Sequence, residues 1–219
     1  SPDIDLARYN IECAVNGAAC SNFSFASSTA TSTIYIAPAD AAPYVFKATA
    51  VETSGNESPA QTISVDVSLH PVVINEIAWA GTGSSPAASK DEWVELYNPT
   101  SHTISLAGMV INSPTNSSLV IHLSGTIAPR GYYLIERTDD NAITDITADL
   151  VSTFGSGLSN SGEQLVLNLG STTAVHTREG TTIDATPAMG ICYHGWCAGL
   201  AGGQYYTMER YDPLSSGED

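Results

Sequence analysis

Basic residues are scarce in this sequence of 219 residues. It has 7 Lys and Arg against 23 Asp and Glu, for a formal net charge of -16, and only two of the bases, Lys47 and Lys90, are lysines. A protein that neutralises phosphates needs a stripe of Lys and Arg, so this scarcity excludes nucleic acid as a partner. The same charge argues against docking on an anionic membrane surface.

Long apolar runs and helical patterning are also lacking. No run of apolar residues approaches the ~18 that a membrane-spanning helix needs, which predicts no membrane insertion. No window repeats apolar residues at the i, i+3, i+4, i+7 spacing of an amphipathic helix. Hydrophobic residues nevertheless make up 42% of the chain, which is enough for a packed core.

Short runs of alternating or β-branched residues take the place of helices. The clearest are 44–51, 62–67, 93–97, 132–136 and 164–169, and Gly, Pro, Asn and Ser separate them. Short strands with turn signals every ~8–12 residues are typical of β-sandwiches and barrels. The sequence therefore predicts an all-β protein, and its length fits two domains of ordinary size.

Motifs of the common catalytic centres are missing as well. There is no Gly-x-Ser-x-Gly nucleophile elbow, no phosphate-binding P-loop and no His-Glu-x-x-His zinc helix. The histidines are scattered and are interpreted as surface or loop residues: His70, His102, His122, His176 and His194. We therefore predict that the chain is not an enzyme.

Four cysteines lie in two close pairs, Cys13 with Cys20 and Cys192 with Cys197. Four cysteines allow three disulfide connectivities, and local pairing is the most economical because each pair brackets a short loop with turn residues. An alternative is a zinc site at Cys192, His194 and Cys197, although such sites favour Cys-x-x-Cys spacing and a fourth ligand. Disulfides and an acidic, lysine-poor composition predict an extracellular or cell-surface location.

An acidic segment is the candidate metal site. Asp139, Asp140, Asp145 and Asp149 lie close together in a stretch without lysine, and their carboxylate oxygens are the ligand type that calcium prefers. The spacing does not match an EF-hand loop. The alternative is that these are solvated loop acids that keep the protein soluble. Calcium is the one cofactor that the sequence suggests.

Aromatic residues form a candidate ligand-binding surface. Trp196, Tyr205 and Tyr206 lie near one another in the sequence, and Trp196 stands between two cysteines in a Gly-containing loop, which favours an exposed ring. The pair Tyr132 and Tyr133 is a further candidate. Such rings can stack on sugars, so a glycan or a surface protein is a candidate partner; core packing is the more frequent use of Tyr and Trp in strands.

The first part of the chain resembles a fibronectin type III domain over residues 3–67. The segments DIDLARYNI (3–11) and PYVFKATAVETSGNES (43–58) match strand C and strand F with the turn into strand G, and TIYI (33–36) fits strand E. The family has two further strands, A and B, before strand C, and no sequence for them precedes residue 3. The resemblance therefore implies a half sandwich whose missing strands lie upstream in a longer protein or come from a neighbouring molecule. A third alternative is that the domain has rearranged.

The second part is similar to the lamin tail domain family over residues 72–210. The blocks that carry the resemblance are VINEIAWAG (73–81), DEWVELYNPT (91–100), GYYLIERTDD (131–140), LSNSGEQLVL (158–167) and TMER (207–210). The family fold is an immunoglobulin-like β-sandwich without catalytic activity. Two departures are Met109, where the family usually has Trp, and the lack of a closing strand after the last block.

The blocks of the second resemblance contain a tempting carboxylate pair. Glu76 and Glu95 are a combination that glycoside hydrolases use. Because both residues belong to blocks of a non-catalytic family, we interpret them as structural.

Together the two resemblances predict two immunoglobulin-like β-sandwich domains in tandem, the first lacking its N-terminal strands. We place them at residues 1–68 and 72–219, with a linker at 69–71. The implied function is a non-enzymatic structural or adhesive module of an extracellular or cell-surface protein. Such a module would self-associate or contact neighbouring domains, and strand complementation would join it into a filament or layer. The alternative is an accessory glycan- or protein-binding module of a secreted hydrolase.

Overall fold

The computed structural model describes residues 5–21, 23, 29, 41–68, 70–169, 182–192, 195–215 and 217. The chain divides into two compact units, Ser1–Leu69 and His70–Asp219. Within the described residues there is no α-helix, and a single 3-10 turn occupies Ala88–Lys90. These ranges include no helix of the length and apolarity that a membrane span requires. The predicted strand at 33–36, His176 and His194 lie outside the described residues.

Short β-strands make up the regular structure of both units. The first unit contains β1 (Leu6–Val15), β2 (Ala18–Ala19), β3 (Ala41–Glu52) and β4 (Gln61–Val67). The second unit contains β5 (Val73–Ala78), β6 (Trp93–Tyr97), β7 (Ile104–Ser105), β8 (Met109–Asn112), β9 (Val120–His122), β10 (Thr126–Ile127), β11 (Tyr132–Arg137), β12 (Leu150–Ser152), β13 (Val166–Leu169), β14 (Thr182–Ala185) and β15 (Met208–Glu209).

One antiparallel sheet forms the described part of the first unit, in the order β2-β1-β3-β4. The β1–β2 hairpin turns at Asn16 and Gly17, both at positive φ, which the Asn-Gly pair adopts readily. A disulfide between Cys13 and Cys20 closes the hairpin, so the predicted local pairing is confirmed. The sheet places the predicted strands C, F and G side by side as β1, β3 and β4; the fibronectin type III assignment itself stays a prediction.

The second unit is built from two larger sheets. One has the order β12-β11-β6-β5-β15 and the other the order β14-β13-β8-β9, while β7 and β10 form a separate pair. All pairings are antiparallel except β11 with β12, which is parallel. A common core joins the sheets, and its fully buried members include Ile77, Leu96 and Ile135 from the first sheet and Ile111 and Leu167 from the second. The predicted all-β, immunoglobulin-like sandwich is confirmed.

Alternation along β6 decides which face of its sheet is buried in the core. Val94 and Leu96 are fully buried in the core between the sheets, as the period of two predicts for one face. Trp93 and Glu95 point to the opposite, outer face. Trp93 packs there with Ala78 and Leu134 in a second apolar cluster. Ala142, Ile143 and Ala148 of the segment 138–149 pack against this cluster.

The structure shows where Met109 and the last block, TMER, lie in the fold. Met109 begins β8 and is buried in the core, so the thioether fills space where the family usually places an indole. Met208 and Glu209 form β15, which pairs with β5 and is the last strand of its sheet in the described part of the chain.

Candidate functional site

The acidic segment after β11 is folded by its own carboxylates. Glu136, fully buried on β11, accepts hydrogen bonds from the backbone N–H groups of Ala142 (2.9 Å) and Ile143 (3.0 Å). Asp140 accepts one from the N–H of Ala148 at 2.8 Å. These bonds give the segment 138–149 a defined path over the Trp93 cluster, because each satisfies an amide that has no strand partner.

Two of the four predicted calcium ligands, Asp140 and Asp149, accept hydrogen bonds from backbone amides. Asp149 accepts a hydrogen bond from the N–H of Leu134 at 2.9 Å, and Asp140 is engaged as described. Among the described residues, no group of three or more His, Cys, Asp or Glu side chains is arranged to hold a metal ion. Asp139 and Asp145 are exposed and are not drawn into such a group. Asp140 and Asp149 thus bond backbone amides 8 and 15 residues away in the chain, contacts that no spacing in the sequence indicates.

A buried ion pair fixes a second loop. Arg137 Nη1 lies 3.1 Å from Glu92 Oε1, and the other Glu92 oxygen accepts a hydrogen bond from the N–H of Leu158 at 2.8 Å. Burial raises the pKa of Glu92 to about 7, against the lowering effect of the Leu158 amide and of Arg137, and nearby Glu163 adds to the rise. Gly157 sits against the Arg137 guanidinium at positive φ, where a Cβ would clash.

Another buried carboxylate, that of Asp184, joins the two sheets at one edge. Asp184 on β14 accepts a hydrogen bond from the N–H of Ile74 on β5 at 2.7 Å and pairs with Arg210. Arg210 also donates from Nε to the carbonyl oxygen of Ile74 at 2.9 Å. Burial raises the pKa of Asp184, and the Arg210 charge opposes that rise. The arginine of the TMER block is thus a structural residue that clamps β14 to β5.

The prediction that Trp196 is exposed is wrong. Its side chain is buried, with 6% of its surface accessible, and its ring stacks on that of Trp79 with centroids 6.0 Å apart and planes 11° from parallel. The indole N–H donates to the carbonyl oxygen of Ser159 at 2.7 Å. A large ring in a short loop covers the apolar core more favourably than it faces water, so Trp196 belongs to the core.

The loop that carries Trp196 is closed by the predicted local disulfide. Cys192 and Cys197 are bonded to each other, which confirms that pairing and makes the alternative zinc site wrong. Trp79 donates from its indole N–H to the carbonyl oxygen of Ala198 at 3.0 Å and so holds the end of the loop. Of the other two predicted ligand-binding residues, Tyr205 packs against the core and Tyr206 is exposed. The three aromatic residues do not form one exposed surface.

An aromatic pair with one exposed and one half-buried ring does occur on the outer face of the β6 sheet. Tyr97 on β6 and Tyr132 on β11 are directly opposite each other in the ladder, and their ring centroids are 4.8 Å apart at 36°. Tyr132 keeps 58% of its surface accessible. Tyr132 was one of the aromatic candidates in the sequence, whereas Tyr97 was missed because only the strand register brings it alongside.

Three glutamates lie beside this pair. Glu95 is opposite Glu76 in the β5–β6 ladder, and Glu76 is opposite Glu209 in the β5–β15 ladder. Asn75 donates from Nδ2 to Glu95 at 2.8 Å, and the Thr207 hydroxyl donates to Glu76 at 2.5 Å.

Burial raises the pKa of Glu95; the Asn75 bond lowers it, and the neighbouring charges of Glu76 and Glu209 raise it further. We call Tyr97, Tyr132, Glu76, Glu95 and Glu209 the aromatic–acidic face.

This face suits binding better than acid–base chemistry. The exposed ring of Tyr132, packed against Tyr97 and bordered by carboxylates, offers an apolar surface with hydrogen-bond acceptors beside it, which fits a sugar ring or a basic side chain. Clefts of about 350 Å³ lie beside Arg210 and beside Arg137, and neither is lined by Glu76 or Glu95. The tempting carboxylate pair is therefore on a sheet face, held by hydrogen bonds to Asn75 and Thr207.

The sandwich with its carboxylate-anchored loops defines the second unit as an immunoglobulin-like module. The family model described as Lamin Tail Domain matches residues 67–187. The chain belongs to the lamin tail domain family. No curated protein matches the sequence. Among solved structures, the chain is similar to a DUF4876 family protein from Bacteroides thetaiotaomicron, with 11% sequence identity over 84% of this chain and 74% of that chain and a TM-score of 0.39.

Proposed function

We propose that the chain is a non-enzymatic structural or adhesive module of an extracellular or cell-surface protein. The observation that carries this proposal is that the buried acids bind backbone amides. Glu92, Glu136 and Asp184 each accept backbone amides at loop or sheet junctions, and Glu163 accepts the N–H of Ser159 at 3.3 Å. Among the described residues these are the acids best shielded from water, and they stabilise loops and the junction between sheets instead of facing a substrate cleft. Membership of the lamin tail family supports the same function.

The proposed extracellular location rests on covalent chemistry and composition. Each of the two units carries one disulfide, Cys13–Cys20 in the first and Cys192–Cys197 in the second. Disulfides persist in oxidising compartments and are rare in the cytosol of mesophiles. The net charge of -16 and the scarcity of lysine are in keeping with that location.

We further propose that the chain self-associates or contacts neighbouring domains, with domains at residues 1–68 and 72–219 and a linker at 69–71. The chain divides into two compact units with a boundary in the sequence between residues 69 and 70, which supports this division. The first unit supports the association, because two large apolar side chains of its sheet, Ile63 and Val65, are exposed. In its most specific form, the proposal is that strand complementation joins copies of the chain into a filament or layer.

Calcium is expected to leave the full chain unchanged. A ligand at ~100 times its Kd stabilises a protein by ~2.7 kcal/mol, so a calcium site would raise the melting temperature by several degrees. Because Asp140 and Asp149 are engaged with backbone amides, we expect the same melting temperature and light-scattering mass in millimolar calcium, in magnesium and in chelator. A calcium-specific shift in either quantity would restore the predicted site.

A second function, an accessory glycan- or protein-binding module, is favoured by the aromatic–acidic face. We expect Tyr132→Ala to weaken binding to immobilised cell-wall polysaccharide by about 5-fold, since stacking on one ring contributes on the order of 1 kcal/mol. Tyr211 is fully exposed elsewhere, so Tyr211→Ala is the matched control and should bind as the wild type does. Equal binding by both variants, or no binding by the wild type, would exclude a glycan site on this face.

A further inference from the structure

Among the described residues of the first unit, β4 is an open edge of the sheet. It is the last strand in the order β2-β1-β3-β4, and its residues 61–65 are all exposed, on both faces of the sheet. Within the described part of this unit, the exposed large apolar side chains are Ile63, with 61% of its surface accessible, and Val65, with 40%. Both belong to β4, so the exposed apolar surface coincides with the free backbone edge.

This edge lacks the features that usually prevent strand pairing. Natural edge strands are interrupted by lysine, proline or a bulge, or are kept very short. Residues 61–65 carry no charge and no proline, and their register with β3 runs without a break from Gln61 opposite Ala48 to Val65 opposite Tyr44. The register shifts only beyond Val65, and Asp66 is the one charged residue of the strand. The strand is seven residues long. At the other end of the sheet β2 covers only Ala14 and Val15 of β1, and the rest of β1 carries the charged residues Arg8 and Glu12, which oppose strand pairing. β4 is therefore the edge that can accept another strand.

The sequence of β4 is complementary to itself. In an antiparallel pair with a two-fold axis at Ser64, Ile63 of each copy lies opposite Val65 of the other, and Gln61 lies opposite Val67. Position 62, a threonine, lies opposite position 66, an aspartate, so no two like charges meet. Cross-strand pairs of β-branched apolar residues stabilise such ladders. An isologous contact of this kind closes into a dimer.

We propose that two copies of the chain associate by antiparallel pairing of β4 with β4 about Ser64. The inference deepens the proposed self-association and rests on it. A seven-residue strand is ~23 Å long, so the contact is smaller than the ~800 Å² per partner of a standard interface. The dimer is accordingly weak, with a Kd on the order of 10–100 µM. Each copy carries a charge of -16, so added salt tightens the dimer by screening repulsion.

Sedimentation velocity of the full chain tests the pairing at ~5–500 µM protein and at low and high salt. The wild type is expected to shift from monomer to dimer with concentration, and at lower concentration in high salt. Ile63→Lys places two ammonium groups in the paired edge and should raise the Kd at least ~10-fold. Val120→Lys is the matched control: Val120 is an exposed residue of the edge strand β9 in the second unit. Circular dichroism establishes that both variants are folded.

Three results would overturn the β4 pairing. They are a wild type that stays monomeric throughout, a dimer that Ile63→Lys leaves intact, and a dimer that Val120→Lys weakens equally. Oligomers that keep growing with concentration would also contradict the closed two-fold pair, but they would support the broader proposal of a self-assembling structural module. Failure of the dimer therefore remains distinguishable from failure of the proposed function, which depends on the buried carboxylates of the second unit.

Discussion

Trp196→Ala is expected to lower the free energy of unfolding by about 3–5 kcal/mol, the cost of removing a large buried aromatic side chain. The substitution removes the stack on Trp79 and leaves the carbonyl oxygen of Ser159 without the indole donor. Urea denaturation followed by far-UV circular dichroism measures the difference.

The matched control for Trp196 is Tyr206, because both belong to the aromatic set predicted to bind a ligand and Tyr206 is exposed. Tyr206→Ala should change the free energy of unfolding by less than ~0.5 kcal/mol, as surface substitutions usually do. A Trp196→Ala variant as stable as the wild type that has lost polysaccharide binding would instead make Trp196 an exposed ligand residue.

Glu92 is expected to make the chain less stable as the pH rises through neutrality. Burial raises its pKa from 4.5 to about 7, so the folded chain binds the proton more tightly than the unfolded chain does. The stabilisation from this proton is complete below pH ~4.5 and is lost as the pH rises through ~7. This shift in pKa corresponds to a loss of about 3 kcal/mol in the free energy of unfolding as the pH rises from ~4.5 to above ~7.

Glu92→Gln isolates this contribution, because Gln keeps an acceptor for the Leu158 amide but does not titrate. The free energy of unfolding of the wild type minus that of Glu92→Gln should fall by about 3 kcal/mol from pH ~4.5 to ~8. Glu12→Gln, at an exposed acid on β1, is the control and should give a curve parallel to that of the wild type. If the difference in unfolding free energy stays constant or rises with pH, the proposal that burial raises the pKa of Glu92 is contradicted.

Local features of the fold could be predicted from the sequence. The segment 93–97 is rich in aromatic and other apolar residues that favour strands and forms β6 with those bounds, and 132–136 forms all but the last residue of β11. The turn residues Asn16 and Gly17 between two close cysteines predicted a turn and a local disulfide, and the structure has both. In each case the deciding physics acts within a few residues, through strand propensity or turn conformation.

The candidate site was predicted less well, because it depends on residues that are far apart in the chain. Glu92 and the Leu158 amide are 66 residues apart, and Asp184 and the Ile74 amide are 110 apart. No sequence spacing shows which acid accepts which amide. The aromatic–acidic face has the same origin, since the ladder between β6 and β11 brings Tyr97 to Tyr132.

Amide hydrogen exchange resolved by NMR tests the structural role of the buried carboxylates most directly. The N–H groups of Ile74, Ile143 and Leu158 each donate to a buried carboxylate. If these carboxylates anchor the loops and sheets, the three amides exchange as slowly as that of Ile135 in the centre of β11, because opening them requires unfolding of the core. Exchange at the rate of free loop amides would mean that the carboxylates are not committed to the backbone, and the proposal of a non-enzymatic structural module would lose its main support.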